Sequence, residues 1–270
     1  MRRARPALGT LLDIRARGPE SLVERALDSA FDAVDEVERL MSFHRADSDL
    51  SRLNRAASAQ PHAVHPWTYA VLRRAACLGV LSDGLFDVAV APVLVAEGLL
   101  PSMPECAGGG TSRDLELLPE RRVFFRRPML LDLGGIAKGF AVDQAIHALR
   151  RGGCSEALVN AGGDLRRFGA QPELVHLRTA SGAVPLAELG CGALATSSPY
   201  RVQPGRLAQP GGGIVDPRRK RLWEGRGSVS VAARSCMLAD ALTKVAALAG
   251  PECGPLLARF GAKARWHAPL

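Results

Sequence analysis

The chain has 270 residues, of which 47% are hydrophobic and 23% are charged, and its formal net charge is +8. This composition is that of an ordinary globular protein, and it excludes a disordered, collagen-like or disulfide-scaffold chain. No run of about 18 apolar residues is present, so we expect no membrane span, and the length allows one large or two small domains.

The basic excess has a compositional explanation. Lys and Arg together number 35 against 27 Asp and Glu, and all but four of the basic residues are arginines spread along the chain. Net charge of this kind attracts nucleic acid only non-specifically, and no zinc-finger or RNP-type motif accompanies it. We therefore expect no nucleic-acid partner, and a basic nucleic-acid or interaction module is the weakest of the alternatives.

The start of the chain and the cysteines bear on location. Asp13 and Arg15 interrupt the apolar run that a signal peptide needs after its basic residues. The six cysteines are scattered without a C-x-x-C pair, which indicates reduced, buried thiols and no zinc site. These observations predict a cytoplasmic protein.

Apolar periodicity predicts the elements of the first third of the chain. A short strand at Gly9–Ile14 precedes a helix over Glu20–Met41, whose apolar residues recur three and four apart. The polar stretch from Ser42 to Asn54 is typical of a structured loop or a short helix. A loop over residues 55–66 then leads to a helix over Trp67–Leu81.

The rest of the chain mixes strands with helices, with loops over residues 101–113 and 203–213. The predicted strands are Val123–Phe125, Met129–Leu133, Ala157–Asn160, Leu174–Arg178, Gly192–Thr196 and Ser228–Ala232. The predicted helices are Gly139–Arg151, which ends at two glycines, and Cys236–Ala249. Because no long linker or internal repeat divides the chain, we expect an α/β or α+β fold in a single domain over residues 1–270.

The strongest local signal for chemistry is the segment from Leu131 to Asp143, where a predicted strand leads into a Gly-rich turn that opens a helix. Free backbone N–H groups and the positive end of a helix dipole suit a phosphate, and Lys138 adds a cation. The glycine spacing fits neither a P-loop nor a dinucleotide-binding fingerprint. A Gly-rich turn that merely carries a surface lysine is the plain alternative.

A second candidate lies on the helix Cys236–Ala249. Thr243 and Lys244 follow Asp240 by three and four residues, on the same helix face. A carboxylate with a hydroxyl one turn on suits a hard cation such as Mg²⁺. The same spacing is equally compatible with a salt bridge between Asp240 and Lys244.

The order of eight short motifs carries a family resemblance. They are Leu8-Gly-Thr10, Asp47-Ser-Asp-Leu-Ser-Arg-Leu-Asn54, Asp83-Gly-Leu-Phe-Asp87, Asp132-Leu-Gly-Gly-Ile-Ala-Lys-Gly139, Val159-Asn-Ala-Gly-Gly-Asp164, Ala195-Thr-Ser197, Ile214-Val-Asp-Pro217 and Ala239-Asp-Ala-Leu242. Each is weak alone, but in this order they resemble the ApbE-like FAD:protein FMN transferases over about residues 6–250.

The resemblance implies an α+β, T-fold-like architecture of mixed sheets flanked by helices. It also implies Mg²⁺-dependent transfer of FMN from FAD to a Thr hydroxyl of an acceptor protein, with release of AMP. Some members hydrolyse FAD instead.

The resemblance also assigns site residues by motif. The FAD-binding residues would be Leu8, His44, Leu85, Phe86, Asp87, Asp132, Lys138 and Ile214. The metal would take the carbonyl of Gly135, the carboxylate of Asp240 and the helix position one turn on, for which the hydroxyl of Thr243 would be the substitute ligand. Asp240 and Lys244 would be the catalytic residues.

The chain departs from the family pattern near the implied metal. Lys244 stands where the family has a hydroxyl ligand, and an ammonium cannot ligate Mg²⁺; it either repels the metal or replaces its charge. Gly213 stands in place of a His and His44 in place of a Tyr. These changes leave open a degenerate member that binds FAD or a related nucleotide with weak or no transferase activity.

Overall fold

The structure is a computed structural model that describes residues 1–103, 108–179, 182–201, 209–210, 213–225 and 227–268. The predicted loops over residues 101–113 and 203–213 lie partly outside the described residues. The chain divides into two compact units, each formed from separate stretches of sequence. One comprises Met1–Asp35, Lys138–Gly212 and Glu224–Leu270, and the other comprises Glu36–Ala137 and Gly213–Trp223. The sequence predicts a single domain over residues 1–270, and the division into two compact units leaves this as a prediction.

Helices and strands alternate irregularly along the chain, which confirms the α+β class. In chain order they are β1 (Arg2–Ala7), β2 (Thr10–Arg17), α1 (Glu20–Met41), α2 (Asp49–Ala56), β3 (His62–Ala63), α3 (Pro66–Leu81), α4 (Ala91–Ala96), β4 (Leu115–Leu118), β5 (Arg122–Phe125), α5 (Ala137–Arg151), β6 (Glu156–Ala161), β7 (Asp164–Phe168), β8 (Glu173–Thr179), β9 (Gly182–Leu189), β10 (Gly192–Ser197), β11 (Tyr200–Arg201), β12 (Gln209–Pro210), β13 (Val215–Asp216), β14 (Arg221–Leu222), β15 (Ser228–Ala233), α6 (Cys236–Ala249), α7 (Gly254–Arg259) and β16 (Lys263–His267).

The first unit is built on a seven-stranded sheet with the order β1-β2-β6-β7-β10-β15-β16. All its neighbouring strands run antiparallel. Its inner strands β10 and β15 carry small or β-branched residues that are fully buried, such as Ala195 and Val231, and α6 packs against both strands. This packing holds α6, which carries Asp240, in a fixed register on the sheet.

The long helices match their predicted bounds closely. α1 and α6 begin and end at the predicted residues, and α5 begins two residues earlier than predicted, at Ala137. α5 ends in a Schellman motif, in which Gly153 has a φ of 83° and the N–H of Cys154 donates to the carbonyl of Leu149 at 3.1 Å. Within the described residues, no helix is both long and apolar enough to span a membrane.

The second unit contains α2, α3 and α4, the three-stranded sheet β3-β5-β4 and the β13–β14 pair. The prediction of a strand at Met129–Leu133 is wrong, because this buried stretch pairs with no neighbouring strand. The Asn54 side chain instead donates to the Leu131 carbonyl at 3.0 Å and accepts from the Leu131 N–H at 2.8 Å. The side-chain amide thus satisfies the backbone that a strand would have satisfied.

The strands at both edges of the large sheet escaped prediction. β1 reads Arg-Arg-Ala-Arg-Pro-Ala and β16 reads Lys-Ala-Arg-Trp-His. Edge strands carry charge and proline because both discourage pairing with other chains, so they lack the apolar pattern of an inner strand.

Candidate functional site

The turn between β1 and β2 holds Leu8, the first residue assigned by motif. Ala7 pairs with Thr10, so Leu8 and Gly9 are the two central residues of the hairpin, with φ of 53° and 69°. Positive φ at both positions is the geometry of a type I′ turn, and the left-handed conformation costs a residue other than glycine about 1–2 kcal/mol. Such strained residues concentrate at ligand sites, which favours a functional role for Leu8.

The Leu85-Phe86-Asp87 turn lies in the second unit, after α3. The carboxylate of Asp87 accepts hydrogen bonds from the N–H groups of Ala89 at 2.7 Å and of Ser112 at 3.1 Å. The Phe86 side chain is only 3% exposed, whereas that of Leu85 is half-buried. The turn is therefore rigid, and it presents Leu85 and backbone atoms to its surroundings while Phe86 anchors it in the core.

The other predicted FAD-binding residues of the second unit differ in accessibility. His44 is exposed and Asp132 is half-buried, with its carboxylate accepting from the Gly134 N–H at 3.0 Å. Ile214 is buried, and its carbonyl accepts from the Trp223 N–H at 2.8 Å. A ligand near Ile214 would meet backbone atoms there, because the side chain is packed into the core.

Two glycines of the second unit remain to be placed: the predicted metal ligand Gly135 and Gly213, which stands where the family pattern has a His. Gly135, the predicted carbonyl ligand, is half-buried in the turn just before α5. Gly213 has a φ of 63°, and methyl carbons of Leu94 and Leu99 would lie 3.8 and 3.9 Å from a β-carbon at this position. The backbone here adopts a conformation that suits glycine and would strain the His that the family pattern has.

Two helices of the first unit cap each other. From α5, the Asp143 carboxylate accepts from the N–H groups of Cys236 at 2.8 Å and Met237 at 3.0 Å, in the first turn of α6. From α6, Asp240 Oδ2 accepts from the Gly139 N–H at 3.1 Å, in the first turn of α5. A carboxylate stabilises a helix start because the N–H groups there have no intrahelical acceptor and carry positive partial charge. The two helix starts are thereby fixed side by side.

Three ion pairs among the described residues lie at this junction of α5 and α6, and one of them joins Arg166 to the capping carboxylate of Asp143 at 2.7 Å. In the other two, Lys138 pairs with Asp164, and Lys244 pairs with Asp240. The two carboxylate side chains are 3% and 0% exposed, whereas the lysine side chains are 36% and 18% exposed. Each ammonium is therefore anchored by a buried anion on a side chain that is partly exposed, which is a suitable arrangement for binding a further anion.

The charges at the junction shift the pKa values of their neighbours. Burial opposes the ionisation of Asp240, but the charges of Lys244 and Lys138 outweigh it and hold the pKa of Asp240 below its ordinary value. Burial and the negative charge of Asp240 raise the pKa of Asp164. Burial also opposes the charge of Lys138, yet Asp164 and Asp240 outweigh it and raise the Lys138 pKa. Burial together with nearby carboxylates raises the pKa of the Cys236 thiol well above its ordinary value, so this thiol is not a nucleophile.

Thr243, the predicted hydroxyl ligand, is fully buried on α6. Its hydroxyl donates to the Asp240 carbonyl at 2.6 Å and shares a hydrogen bond of 2.7 Å with the Ser197 hydroxyl. Ser197 comes from the end of β10, so its place in a family motif has a structural explanation: it ties that strand to α6.

Three residues of this junction received no predicted role. Gly139 and Asp164 end two of the eight motifs, and Asp143 ends the longer segment from Leu131 to Asp143. The signal that would have found Asp143 is its position one turn after Gly139, which matches the position of Asp240 one turn after Cys236. The two aspartates cap each other's helices only because folding places the starts of α5 and α6 side by side.

Known proteins share both the sequence pattern and this fold. The sequence profile of the ApbE family matches residues 8–266. An FAD:protein FMN transferase from Vibrio cholerae is 30% identical over 94% of this chain and 82% of its own length. A protein of the same name from Rhodobacter capsulatus is 31% identical over 95% of this chain, which spans about half (53%) of that longer relative. The solved structure of the flavin transferase ApbE from Vibrio cholerae superposes with a TM-score of 0.82 at 26% identity, covering 100% of this chain and 96% of that one. This chain belongs to the ApbE family.

Proposed function

We propose that the chain is an FAD:protein FMN transferase, which moves the FMN part of FAD to a Thr hydroxyl of an acceptor protein and releases AMP. The observation that carries the proposal is the pair of lysine ammoniums held by buried carboxylates at the α5–α6 junction. The relatives are named FAD:protein FMN transferases, and FAD contains a negatively charged pyrophosphate. Two anchored ammoniums are suited to binding that group.

The reaction is a phosphoryl-type transfer. The Thr oxygen of the acceptor attacks the phosphorus on the riboflavin side of FAD and forms a new P–O bond. The P–O bond to the AMP half breaks, AMP leaves with the bridging oxygen, and the hydroxyl proton passes to solvent or to the leaving phosphate. Such a transfer depends mainly on positioning and on neutralising charge, and less on a strong base.

Different residues of the chain bind the pyrophosphate and the rest of FAD. Lys138, anchored by Asp164, neutralises charge on the pyrophosphate, and Asp240 and Lys244 form the second half of the junction. FAD itself would be bound by residues assigned from the motifs: Leu8, His44, Leu85, Phe86, Asp87, Asp132, Lys138 and Ile214. The strained turn at Leu8 and the rigid turn at Asp87 support this part of the proposal.

The Mg²⁺ implied by the resemblance does not fit its proposed ligands. Asp240 Oδ1 is bound by the Lys244 ammonium and Oδ2 by the Gly139 N–H. The Thr243 oxygen is fully buried between the Asp240 carbonyl and the Ser197 hydroxyl, with both of which it is hydrogen-bonded. In the part of the chain that the structure describes, no three His, Cys, Asp or Glu side chains converge on a point that could hold a metal. We therefore route no step through Mg²⁺.

The test is a transfer assay with purified protein. The chain is incubated with FAD and an acceptor protein that the Vibrio cholerae relative modifies, with that relative as a positive control. Covalent flavin is measured by in-gel fluorescence and by intact mass, and AMP by chromatography. We expect an acceptor whose mass increases by one FMN, with an equal amount of AMP released.

Two other outcomes would redirect the proposal. AMP release without flavin on any acceptor would indicate FAD hydrolysis. FAD binding without AMP release would indicate the degenerate nucleotide-binding member, which the glycine at position 213 favours because a proton-accepting His is missing there. The cytoplasmic location stays a prediction. Among the described cysteines Cys77 and Cys191 are exposed, so the prediction of buried thiols is wrong for these two.

A further inference from the structure

The Lys244 ammonium makes both of its described contacts to a single residue. It lies one turn after Asp240 on α6, and it donates both to Asp240 Oδ1 and, at 3.0 Å, to the Asp240 carbonyl oxygen. Asp240 is completely buried, and its only other carboxylate contact among the described residues is the Gly139 N–H. A buried carboxylate needs a compensating positive charge, and Lys244 supplies it from within the chain.

The six charged residues of the junction balance one another. Asp143, Asp164 and Asp240 contribute three negative charges, and Arg166, Lys138 and Lys244 contribute three positive ones, so the six residues are neutral together. Sites that hold Mg²⁺ present carboxylate and other oxygen ligands to the ion. With Lys244 present, the junction has no excess negative charge to attract a divalent cation. Without Lys244 it would carry one uncompensated charge on a fully buried carboxylate.

The Lys244 ammonium can also act on an anion. It has three N–H donors, and the contacts seen in the described residues use two of them, both on Asp240. The side chain keeps 18% of its surface exposed. A third donor is thus available to a phosphate oxygen, for which a lysine acts as a point charge.

From these three observations we infer that Lys244 occupies the place of the divalent cation, so that this chain handles the FAD pyrophosphate with two ammoniums and without Mg²⁺. The inference rests on the proposed function for its substrate. The claim that Lys244 takes the place of a divalent cation does not depend on that function.

The first experiment measures metal binding without any turnover. Mn²⁺ serves as the probe for a Mg²⁺ site, and bound Mn²⁺ is counted by electron paramagnetic resonance with the wild type, Lys244→Thr and Lys263→Thr. We expect no bound Mn²⁺ in the wild type, one ion in Lys244→Thr, and none in Lys263→Thr, which removes an exposed lysine of β16 as a matched control. One Mn²⁺ bound to the wild type overturns the inference whether or not the Lys244 variant folds.

The second experiment measures AMP release and flavin transfer in excess EDTA and in millimolar MgCl₂. We expect the wild type to have the same rate in both. Lys244→Thr should lose activity in EDTA by about 100-fold or more, the loss typical of removing one preorganised charge-stabilising group, and should recover part of it with MgCl₂. Wild-type turnover that requires MgCl₂ overturns the inference and leaves the proposed function intact.

The two experiments separate the two proposals. If the wild type shows no turnover in either buffer, the proposed function fails. The Mn²⁺ measurement then still decides whether Lys244 excludes a divalent cation. Thermal unfolding of each variant shows whether Lys244→Thr folds, and Lys244→Arg, which keeps the positive charge, should bind no Mn²⁺.

Discussion

Gly139→Ala tests whether the crossed capping of α5 and α6 is as rigid as the distances indicate. A β-carbon at Gly139 would lie 2.3 Å from the carbonyl oxygen of Cys236 and 2.8 Å from the Cα of Met237. Both are backbone atoms in the first turn of α6, so no side-chain rotation relieves the clash. α6 must move away from α5, and the hydrogen bond from the Gly139 N–H to Asp240 must lengthen with it.

The expected loss of stability combines three effects. Overpacking costs about 1–3 kcal/mol, and losing a hydrogen bond to a buried charged group costs about 1.5–3 kcal/mol. Alanine gains about 1 kcal/mol of helix propensity over glycine. The net free energy of unfolding should therefore fall by about 1.5–5 kcal/mol.

The assay is urea unfolding followed by tryptophan fluorescence. Trp266 is a suitable reporter because its indole N–H donates to the Ala246 carbonyl on α6 at 3.0 Å. The matched control is Gly190→Ala, between β9 and β10, since Gly190 is not in the left-handed region and no atom beyond its chain neighbours lies within 4 Å of its β-carbon position. We expect this control to unfold at the wild-type urea concentration or slightly above it. A Gly139→Ala midpoint equal to that of the control would refute the claim of a close, rigid approach.

Three further predictions concern individual buried side chains. Asp143→Asn removes the charge that caps the start of α6 and pairs with Arg166 at 2.7 Å, so we expect a loss of about 3–5 kcal/mol in urea unfolding. Asn54→Ala leaves the buried N–H and carbonyl of Leu131 without their partner, which should cost about 1–3 kcal/mol for each group in the same measurement. On acidification, ¹³C NMR of the side-chain carboxyl groups should show Asp164 taking up its proton above the ordinary aspartate pKa and Asp240 below it, because burial and Asp240 raise the first pKa while two lysines lower the second.

The lowered pKa of Asp240 determines the direction in which its contribution to the free energy of unfolding changes with pH. Between its folded and unfolded pKa values the unfolded chain binds more protons, so the stabilisation from ionised Asp240 is complete above the unfolded value and is lost as the pH falls through the folded one. The raised pKa of Asp164 acts in the opposite sense, and stability decreases as the pH rises from the unfolded to the folded value. Identical titration of the two carboxyl groups would contradict the charge arrangement described at the junction.

Each mutational prediction has its own control. Asp32→Asn, on the exposed face of α1, removes an aspartate charge without removing a helix cap and should leave the urea midpoint unchanged. Asn54→Asp keeps an acceptor for the Leu131 N–H but loses the donor to its carbonyl, so it too should destabilise the protein. A stable Asn54→Asp variant would show that the amide donor contributes little.

Residues close together in sequence carried most of what could be predicted. The three- and four-residue spacing of apolar side chains set the bounds of α1 and α6, and the order of the short motifs was enough to indicate the family. These signals are local, because a helix buries one face of its own sequence and a motif is read from consecutive residues. The edge strands were not predicted because their charged residues and proline replace the apolar pattern of an inner strand. The strand predicted around Leu131 was wrong because the side chain of Asn54, distant in sequence, satisfies the Leu131 backbone.

The net charge of +8 and the Lys244 substitution are properties of the sequence alone, and the sequence left open whether Lys244 forms a salt bridge or faces a metal. Spacing places Lys244 and Asp240 on one face of α6, but it does not say what else reaches that face. The tertiary structure shows the ion pair between Lys244 and Asp240, while α5 brings the Gly139 N–H to the second oxygen of Asp240 and β7 brings Asp164 to Lys138. A buried charge is defined by all the groups around it, and those groups come from stretches of chain that only folding brings together.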